Sequence, residues 1–455
     1  MRKKIFPLFL IFSFLLTSGA SCRKQTMQEA VEPVTLNYWR VFDGNDDFAE
    51  IIAKYNANHP YIKINYRKLR YEEYEDALLQ ALAEDRGPDI FSIHNSWVRK
   101  YESKIEAMPL ETNMVIPVSQ GTIKTEVIPQ KIVNKSPTLR DIRQSFVDVV
   151  YSDVVINEKV YGLPLSVDTL AMYYNQDLFD QAGVTEIPRH WNRDFQQTVK
   201  KLTKQDLRGN ILQSGVALGE SQNIERYSDI LAVLMMQNGA TMMNENGQVL
   251  FQTIPEVFKS QGYNPGLMAL RFYSDFSNPV KEVYCWNGDM DNSINMFASG
   301  KLAIMFGYSY HLSTIKTMAP KLNFLIEPLP QIEGATVPTN MANYWVETVS
   351  KKSKYKNEAW DFVKFMTKAE NVESYLNKTK KPTALRSLIA SQREDLETGV
   401  FADQLLTAKS WYRGKNPILA ENFLGNMIND VLNSPEDKTM EIMNLYSNRI
   451  QQTVN

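Results

Sequence analysis

The sequence predicts an α/β protein of about two domains, and three observations carry that prediction. The chain has 455 residues, 44% hydrophobic and 22% charged, which is enough apolar mass for a large core and long for a single one. Between Thr35 and Ile93, strand-like and helix-like patterns alternate as β-α-β-α-β, the order of a parallel sheet flanked by helices. Finally, Val160–Ala182 reads V-Y-G-L-P-L-S-V-D-T-L-A-M-Y-Y-N-Q-D-L-F-D-Q-A, an extended crossing around which the rest is organised. Pro164 fixes its own φ and biases Leu163 toward extended geometry, so Tyr161–Pro164 is a poor helix.

Taken in order, Thr35–Trp39 is a first strand and Arg40–Asn45 the loop leaving it. Asp46 caps a helix whose Phe48, Ile51, Ile52 and Tyr55 fall on one face, and His59-Pro60 stops it. Ile62, Ile64 and Tyr66 mark a strand, and Tyr74, Ala77, Leu78, Ala81 and Leu82 a helix. Asp89–Ile93 is a third strand ending at His94-Asn95-Ser96-Trp97. In a parallel sheet the loops after Trp39 and Ile93 lie at the ligand end. Glu111–Thr138, with Pro117, Pro129 and Pro137, reads as a surface excursion or hairpin with no function attached. Arg140–Val150 is a short helix.

After the crossing, Asn175 and Asp177 cap a helix ending near Gly183, and Asn192 caps one containing Phe195, Val199 and Leu202. Trp191 packs where that helix begins. Helices follow over Glu225–Gln237, Asn264–Phe276 and Asn287–Ser299, the last closed by Gly300. Met235, Met236, Met242 and Met243 read as core filling rather than a metal box. Leu302–Phe306 is a buried strand, and Gly307–Tyr310 starts a helix whose first N–H groups suit hydroxyl or anion acceptors. Trp345–Ser350 is a strand, Asn357 opens a helix with Trp360, Val363 and Met366, and the remainder is helical with Trp411-Tyr412 on a loop.

Composition narrows the function classes. A net charge of −2 with Lys and Arg spread along the chain argues against a nucleic-acid partner. There is no G-x-S-x-G and no H-E-x-x-H, and the four His stand without metal-ligand spacing, so neither enzyme, metal site nor cofactor is expected. A carboxylate pair such as Asp43 and Asp168 leaves glycan-acting chemistry as a remote alternative. The 22 Tyr and 7 Trp matter more, because aromatic faces in clefts serve sugars as well as cores. At the start, Arg2, Lys3 and Lys4 precede an apolar run, Ile5–Leu16, and the small residues Ser18-Gly19-Ala20-Ser21 before Cys22. That run is short for a membrane span and suits a cleaved export signal over residues 1–21. Cys22 and Cys285 are not expected to pair. Asp168 inside an apolar strand must be paired or face water, and a strand with one solvated acid fits as well as a binding acid.

The crossing Y-G-L-P-x-x-x-D-x-x-x-x-Y-Y-N-x-D-L-F resembles that of the extracellular solute-binding proteins of sugar-importing ABC transporters, the maltose-binding-protein-like group. G-P-D-I-F at Gly87–Phe91, Pro188 with Trp191 and Phe195, F-x-x-G-K-x-A-I-M from Phe297, S-K-K-S-K from Ser350 and Pro382–Arg386 resemble it too. The resemblance implies a two-lobed periplasmic-binding-protein fold, type II-like, each lobe a mostly parallel sheet flanked by helices. Three crossings would join lobes at 34–158 with 320–369 and at 159–319 with 370–455, with hinges near 158–161, 318–323 and 367–373. It further implies a lipobox ending at Cys22, departing from the family at Gly19, with 22–33 as a tether. A plain cleaved signal with a free Cys is the alternative.

On the resemblance and the loop placement together, the ligand residues expected are Trp39, Asp43, Asn95 and Trp97 from the first lobe. Asp168, Trp286, Tyr308 and Ser309 come from the crossing and second lobe, Tyr344 and Trp345 from the returning strand, and Arg386 and Trp411 reach in. The protein expected is a monomeric, lipid-anchored, extracytoplasmic receptor that closes on a sugar or oligosaccharide and docks on ABC permease subunits. A surface adhesin or polysaccharide-capture lipoprotein without a transporter is the alternative.

Overall fold

The computed structural model describes residues 33–120 and 126–455. The expected signal, the lipidation site Cys22 and nearly all of the tether lie outside the described residues.

Two apolar cores form, each around one five-stranded sheet. In the first lobe the strands run in the order Ile62–Leu69, Val34–Val41, Ile90–His94, Trp345–Ser350, Ile105–Glu106. The first three are parallel, as the β-α-β-α-β pattern requires, with Asn45–Asn58 and Tyr71–Ala83 as the connecting helices. Asp46 does not cap the first helix as expected: Gly44 stands at the cap and the helix begins at Asn45, leaving Asp46 and Asp47 in its first turn where they complement the dipole. Trp345–Ser350 is antiparallel to its neighbours.

The second lobe orders Lys204–Gln205, Ile211–Val216, Leu302–Gly307, Ala171–Asn175, Phe324–Pro328. Only Ile211–Val216 and Leu302–Gly307 are parallel there. Both sheets are therefore mixed rather than mostly parallel. The strands that arrive directly from a crossing, Ala171–Asn175 and Trp345–Ser350, enter against the direction of their neighbours.

The crossings are gathered in a three-stranded sheet between the cores, with Asn340–Asn343 central, Asp168–Thr169 antiparallel on one side and Ala408–Lys409 parallel on the other. This moves the lobe boundaries from where the sequence suggested. Val160, Leu163, Leu165 and Val167 pack in the first core, as do Val372, Tyr375, Leu376, Leu385 and Ile389, whereas Leu329 packs in the second. The expected hinges therefore fall inside lobes. At the first of them Asn157 and Glu158 both take positive φ, 49° and 60°, forming a two-residue hairpin turn between Val155–Ile156 and Lys159–Val160. Gly162 is required by close approach, since a Cβ there would meet Val346 Cγ1 at 2.4 Å and the Glu347 carbonyl oxygen at 2.8 Å. That approach seats Leu163 in a bridge with Glu347 and keeps the segment on the first lobe.

Glu111–Gln120 and Glu126–Lys135 form the hairpin, register-paired from Glu111↔Lys135 to Gln120↔Glu126. The helix expected over 140–150 is two, Leu139–Ser145 and Asp148–Val154, broken where Phe146 turns extended. Asn287–Ser299 is helical only over Ser293–Ala298, because Asn223 accepts the Trp286 indole and donates to the carbonyls of Asn287 and Met290, holding that stretch as a loop. Asn175 and Asn192 cap as expected, accepting from Leu178 N and from Asp194 N and Phe195 N.

Candidate functional site

The loop after the first strand and the end of the third meet beside the returning strand. Register pairing puts Trp345 opposite His94, at the carboxyl end of Ile90–His94. Around the Trp345 indole, edge-on, stand Phe42 at 5.7 Å, Tyr71 at 6.3 Å, His94 at 6.0 Å and Trp97 at 5.7 Å between ring centroids. Phe42 stacks on Tyr71 at 5.7 Å, and each is 53% exposed. Phe42 holds φ at 67°, a conformation that costs a bulky residue about 1–3 kcal/mol. The first lobe thus presents an aromatic wall.

The second lobe answers with a polar one. Arg226, itself at φ 57° before the helix Tyr227–Gln237, grips Asp229 through Nε at 2.9 Å and Nη2 at 2.7 Å, and reaches Glu421 at 3.3 Å. Asp229 also accepts from Tyr308 Oη at 2.7 Å. The walls sense each other. Burial raises the Tyr71 phenol, Arg226 across the gap draws it back and Glu421 adds to the rise. Burial takes the His94 imidazole down to about 4, helped by the Arg226 charge, so it is neutral at pH 7. Burial raises the Glu421 carboxyl against the pull of Arg226. The space enclosed between His94, Asn95 and Ser96 on one side and Arg226, Asp229, Glu421 and Trp411 on the other is about 20 Å³. That admits a water and not a sugar ring, so the lobes stand closed upon each other.

Asp153, on the first lobe's helix Asp148–Val154, clamps the closed edge. It accepts from Asn95 Nδ2 at 2.9 Å and Tyr344 Oη at 2.8 Å, and from the Ser410 hydroxyl, with Arg413 Nε at 3.6 Å. Asn95 Oδ1 is buried with no hydrogen-bond partner, an acceptor left over at the cleft.

A larger cavity of about 860 Å³ lies elsewhere, in the first lobe between the hairpin's root and the helix Lys356–Met366. Its acid, Asp361, is saturated by Tyr55, Thr112 and Asn134. It is no rival to the cleft.

A family model described as "Bacterial extracellular solute-binding protein" matches residues 43–373. The chain belongs to that family. A Brucella abortus chain described as a binding protein is 24% identical over 330 residues, 70% of this chain and 68% of its own. The multiple sugar-binding protein of Streptococcus mutans is 24% identical over 244 residues, 53% and 55% of the two chains. Among solved structures, a cyclo/maltodextrin-binding protein complexed with maltotetraose superposes with a TM-score of 0.71 at 14% identity, over 93% of this chain and 99% of that one, a likeness of fold.

Within this solute-binding protein the expected site residues divide. Asn95, Trp97, Tyr344, Trp345 and Trp411 gather at or just behind the cleft. Tyr308 is buried behind it, holding Asp229. Asp168 is 9% exposed and its carboxylate is consumed internally, accepting from Ser309 N at 2.9 Å, Ser309 Oγ at 2.6 Å and Thr169 N at 2.8 Å. Asp43 is likewise spent on Arg40 at 3.2 Å, Lys381 at 2.5 Å and Tyr375 Oη at 2.9 Å. Burial works to raise its carboxyl, but Arg40 and Lys381 hold it low.

Three residues are not brought to the cleft. Trp286 is fully buried in the second core with its indole donating to Asn223 at 2.9 Å. Arg386 holds the Phe146 carbonyl at 2.8 Å and Asp148 at 2.7 Å on the first lobe. Trp39 lies under the Arg67 guanidinium, 4.8 Å from its ring, on the strand itself. Phe42, Tyr71, His94, Asp153, Arg226, Asp229, Ser410 and Glu421 were not singled out by sequence. Phe42 lay within reach, as an aromatic on the flagged loop. The others become neighbours only through contacts between residues far apart in the chain, such as Asp153 with Ser410, 257 residues apart, and Tyr71 with Trp345.

Proposed function

We propose that this solute-binding protein is an extracytoplasmic receptor that captures a neutral sugar or oligosaccharide between its lobes and hands it to an ABC importer, anchored by lipid at Cys22. The carrying observation is an aromatic wall, Phe42, Tyr71 and Trp345, joined through His94 to a cleft whose other side is the carboxylate-rich polar wall of Arg226, Asp229 and Glu421. Pyranose rings offer an apolar C–H face and a fan of hydroxyls, which those two walls complement. Arg226 carries two carboxylates, so the polar wall has no free positive charge for an anionic ligand. The names of the streptococcal and maltodextrin-binding relatives support the same class.

Opening about the three-stranded hinge sheet admits the sugar, and contacts to both walls favour the closed form. A thermal-shift screen of the mature chain against neutral, amino and acidic saccharides tests this. A neutral saccharide at about 100 Kd adds about 2.7 kcal/mol of stability. A hit confined to acidic sugars, or none at all, refutes the reading. Fatty-acid labelling that persists in Cys22→Ser refutes the anchor alone.

A further inference from the structure

The cavity of about 860 Å³ in the first lobe lies away from the cleft. Asn58 and His59 in its lining stand between the helix Asn45–Asn58 and the strand Ile62–Leu69, at the amino ends of the parallel strands, whereas the cleft is at their carboxyl ends. Three lysines line it, Lys135, Lys364 and Lys368, against one carboxylate, Asp361. That carboxylate is spent on Tyr55, Thr112 and Asn134, with His59 Nε2 at 3.8 Å and Lys364 Nζ at 4.0 Å. Among the described residues no carboxylate pairs with Lys135 or Lys368; the Lys368 ammonium has the Phe365 ring, 5.4 Å away. We propose that this cavity is a second binding site, separate from the saccharide cleft, for an organic phosphate.

Lys364 is the buried member of the trio, 10% exposed. An ammonium has three donors to place. Two of them go to Thr112 Oγ1 at 2.9 Å and the Asn134 carbonyl at 3.0 Å, and the third has only Asp361 Oδ1, beyond hydrogen-bond reach. Burial lowers this ammonium's pKa, Asp361 pulls the other way, and Lys368, one turn on, adds to the lowering. An anion seated between the lysines takes the third donor and offsets their repulsion. A phosphate group offers three acceptor oxygens and close to two charges, enough for three ammonium groups, where a carboxylate has two oxygens and one charge. The helix Ala369–Thr379 starts at the same rim with no side chain capping it, and adds the positive end of its dipole. The space is that of a small-molecule site rather than a bare ion, and Phe146, Leu163, Phe365 and Leu385 give it an apolar side, so the phosphate is one carried on a carbon skeleton. Lipid headgroups and soluble phosphomonoesters share that chemistry. The chain enters the lobe beside the cavity, Val34 N donating to the Tyr61 carbonyl two residues past His59, so a lipid at Cys22 would hold the headgroups on this side.

The test uses the whole mature chain made with Cys22→Ser, so that no lipid holds it to a membrane. Calorimetry at fixed ionic strength takes glycerol 3-phosphate as the soluble probe and glycerol as its uncharged control. Flotation compares phosphatidylcholine vesicles with and without phosphatidylglycerol. Binding is expected in at least one arm, glycerol 3-phosphate alone marking a soluble source and the phosphatidylglycerol vesicles a headgroup. Lys135→Ser with Lys368→Ser, at exposed positions, should weaken that binding at least about tenfold. A charge-matched control, Lys63→Ser with Lys131→Ser, removes two exposed lysines outside the cavity and should bind as wild type. Melting temperature checks that both double variants are folded. No binding to either probe, binding that survives in the folded cavity variant, or an equal loss in the control overturns the site. Neither arm uses a saccharide, so each of these outcomes leaves the reading of the cleft untouched.

Discussion

Replacing Asp168 by Asn should abolish a pH dependence of folding that the burial of its carboxylate creates. The side chain sits between the hinge and the second lobe, accepting from Ser309 N, Ser309 Oγ and Thr169 N. Among the described residues no cationic side chain forms an ion pair with it. Burial pushes its carboxyl from 3.8 up to about 6, the hydrogen bonds from Ser309 and Thr169 and the more distant Lys381 charge pulling back only in part. Between those two pH values the folded chain keeps a proton that the unfolded chain has released. Stability is therefore full below pH ~4, falls as pH rises, and has lost its whole share above pH ~6 to 7. A shift of about two units corresponds to roughly 3 kcal/mol. Asn cannot titrate, and it forfeits one backbone hydrogen bond, since its amide faces the Thr169 N–H, at a pH-independent cost of about 1–3 kcal/mol. Urea melts at half-unit steps from pH 4 to 7.5 give wild type minus Asp168→Asn, a difference in which Glu347, Glu421 and other shared groups cancel. That difference should decline by about 3 kcal/mol across the window. A flat difference means the carboxylate reaches water, as a ligand-facing acid would. A rising one means a cation holds it ionised. Either refutes the burial argument.

Phe42→Ala should weaken sugar binding by about 3- to 10-fold, the worth of one aromatic stacking contact, because the ring stands on the cleft wall. Its ring is 53% exposed and its backbone is strained, so urea melts should show little loss of stability; an undiminished affinity by calorimetry retires it as a contact. Glu347→Ala should cost about 3–5 kcal/mol in the same melts, since it removes the partner of buried Arg40, 3.2 Å away, and the acceptor of Tyr38 Oη at 2.7 Å. A loss under about 1 kcal/mol would show that Asp43 alone satisfies Arg40.

The parts of this fold that were legible in the sequence are those set by local chemistry. Periodicity placed the first three strands and their helices, Asn192 announced its own cap, and the proline-laced stretch after Glu111 was a hairpin. Trp345 was expected from the resemblance, and it is the antiparallel entry of its strand, which no local pattern announced, that sets it opposite His94. What failed was the distinction between an aromatic or charge that lines a cleft and one that props a core, because that depends on partners distant in sequence. Trp286 sits in a loop like a ligand residue, yet its indole is claimed by Asn223, 63 positions away. Asp168 is where the crossing motif puts an acid, yet Ser309, 141 positions on, takes one of its oxygens. Glu421 and Arg226, 195 positions apart, form the polar wall and carry no local signature at all. The same physics explains why the segments expected as hinges pack into cores. A pivot needs a place where few side chains are buried across it, and Tyr161–Val167 contributes Leu163, Leu165 and Val167 to the first core before the chain crosses. The lobes are joined instead through the three-stranded sheet, whose strands Asp168–Thr169, Asn340–Asn343 and Ala408–Lys409 pair between the two cores. Two of those strands end at the site's own clamps. Asp168 leads to Ser309 in the second lobe, and Ala408–Lys409 leads to Ser410, held by Asp153 of the first. Both clamps therefore sit at the ends of strands that pair between the two cores, so a change at either one is carried directly into the sheet that joins the lobes.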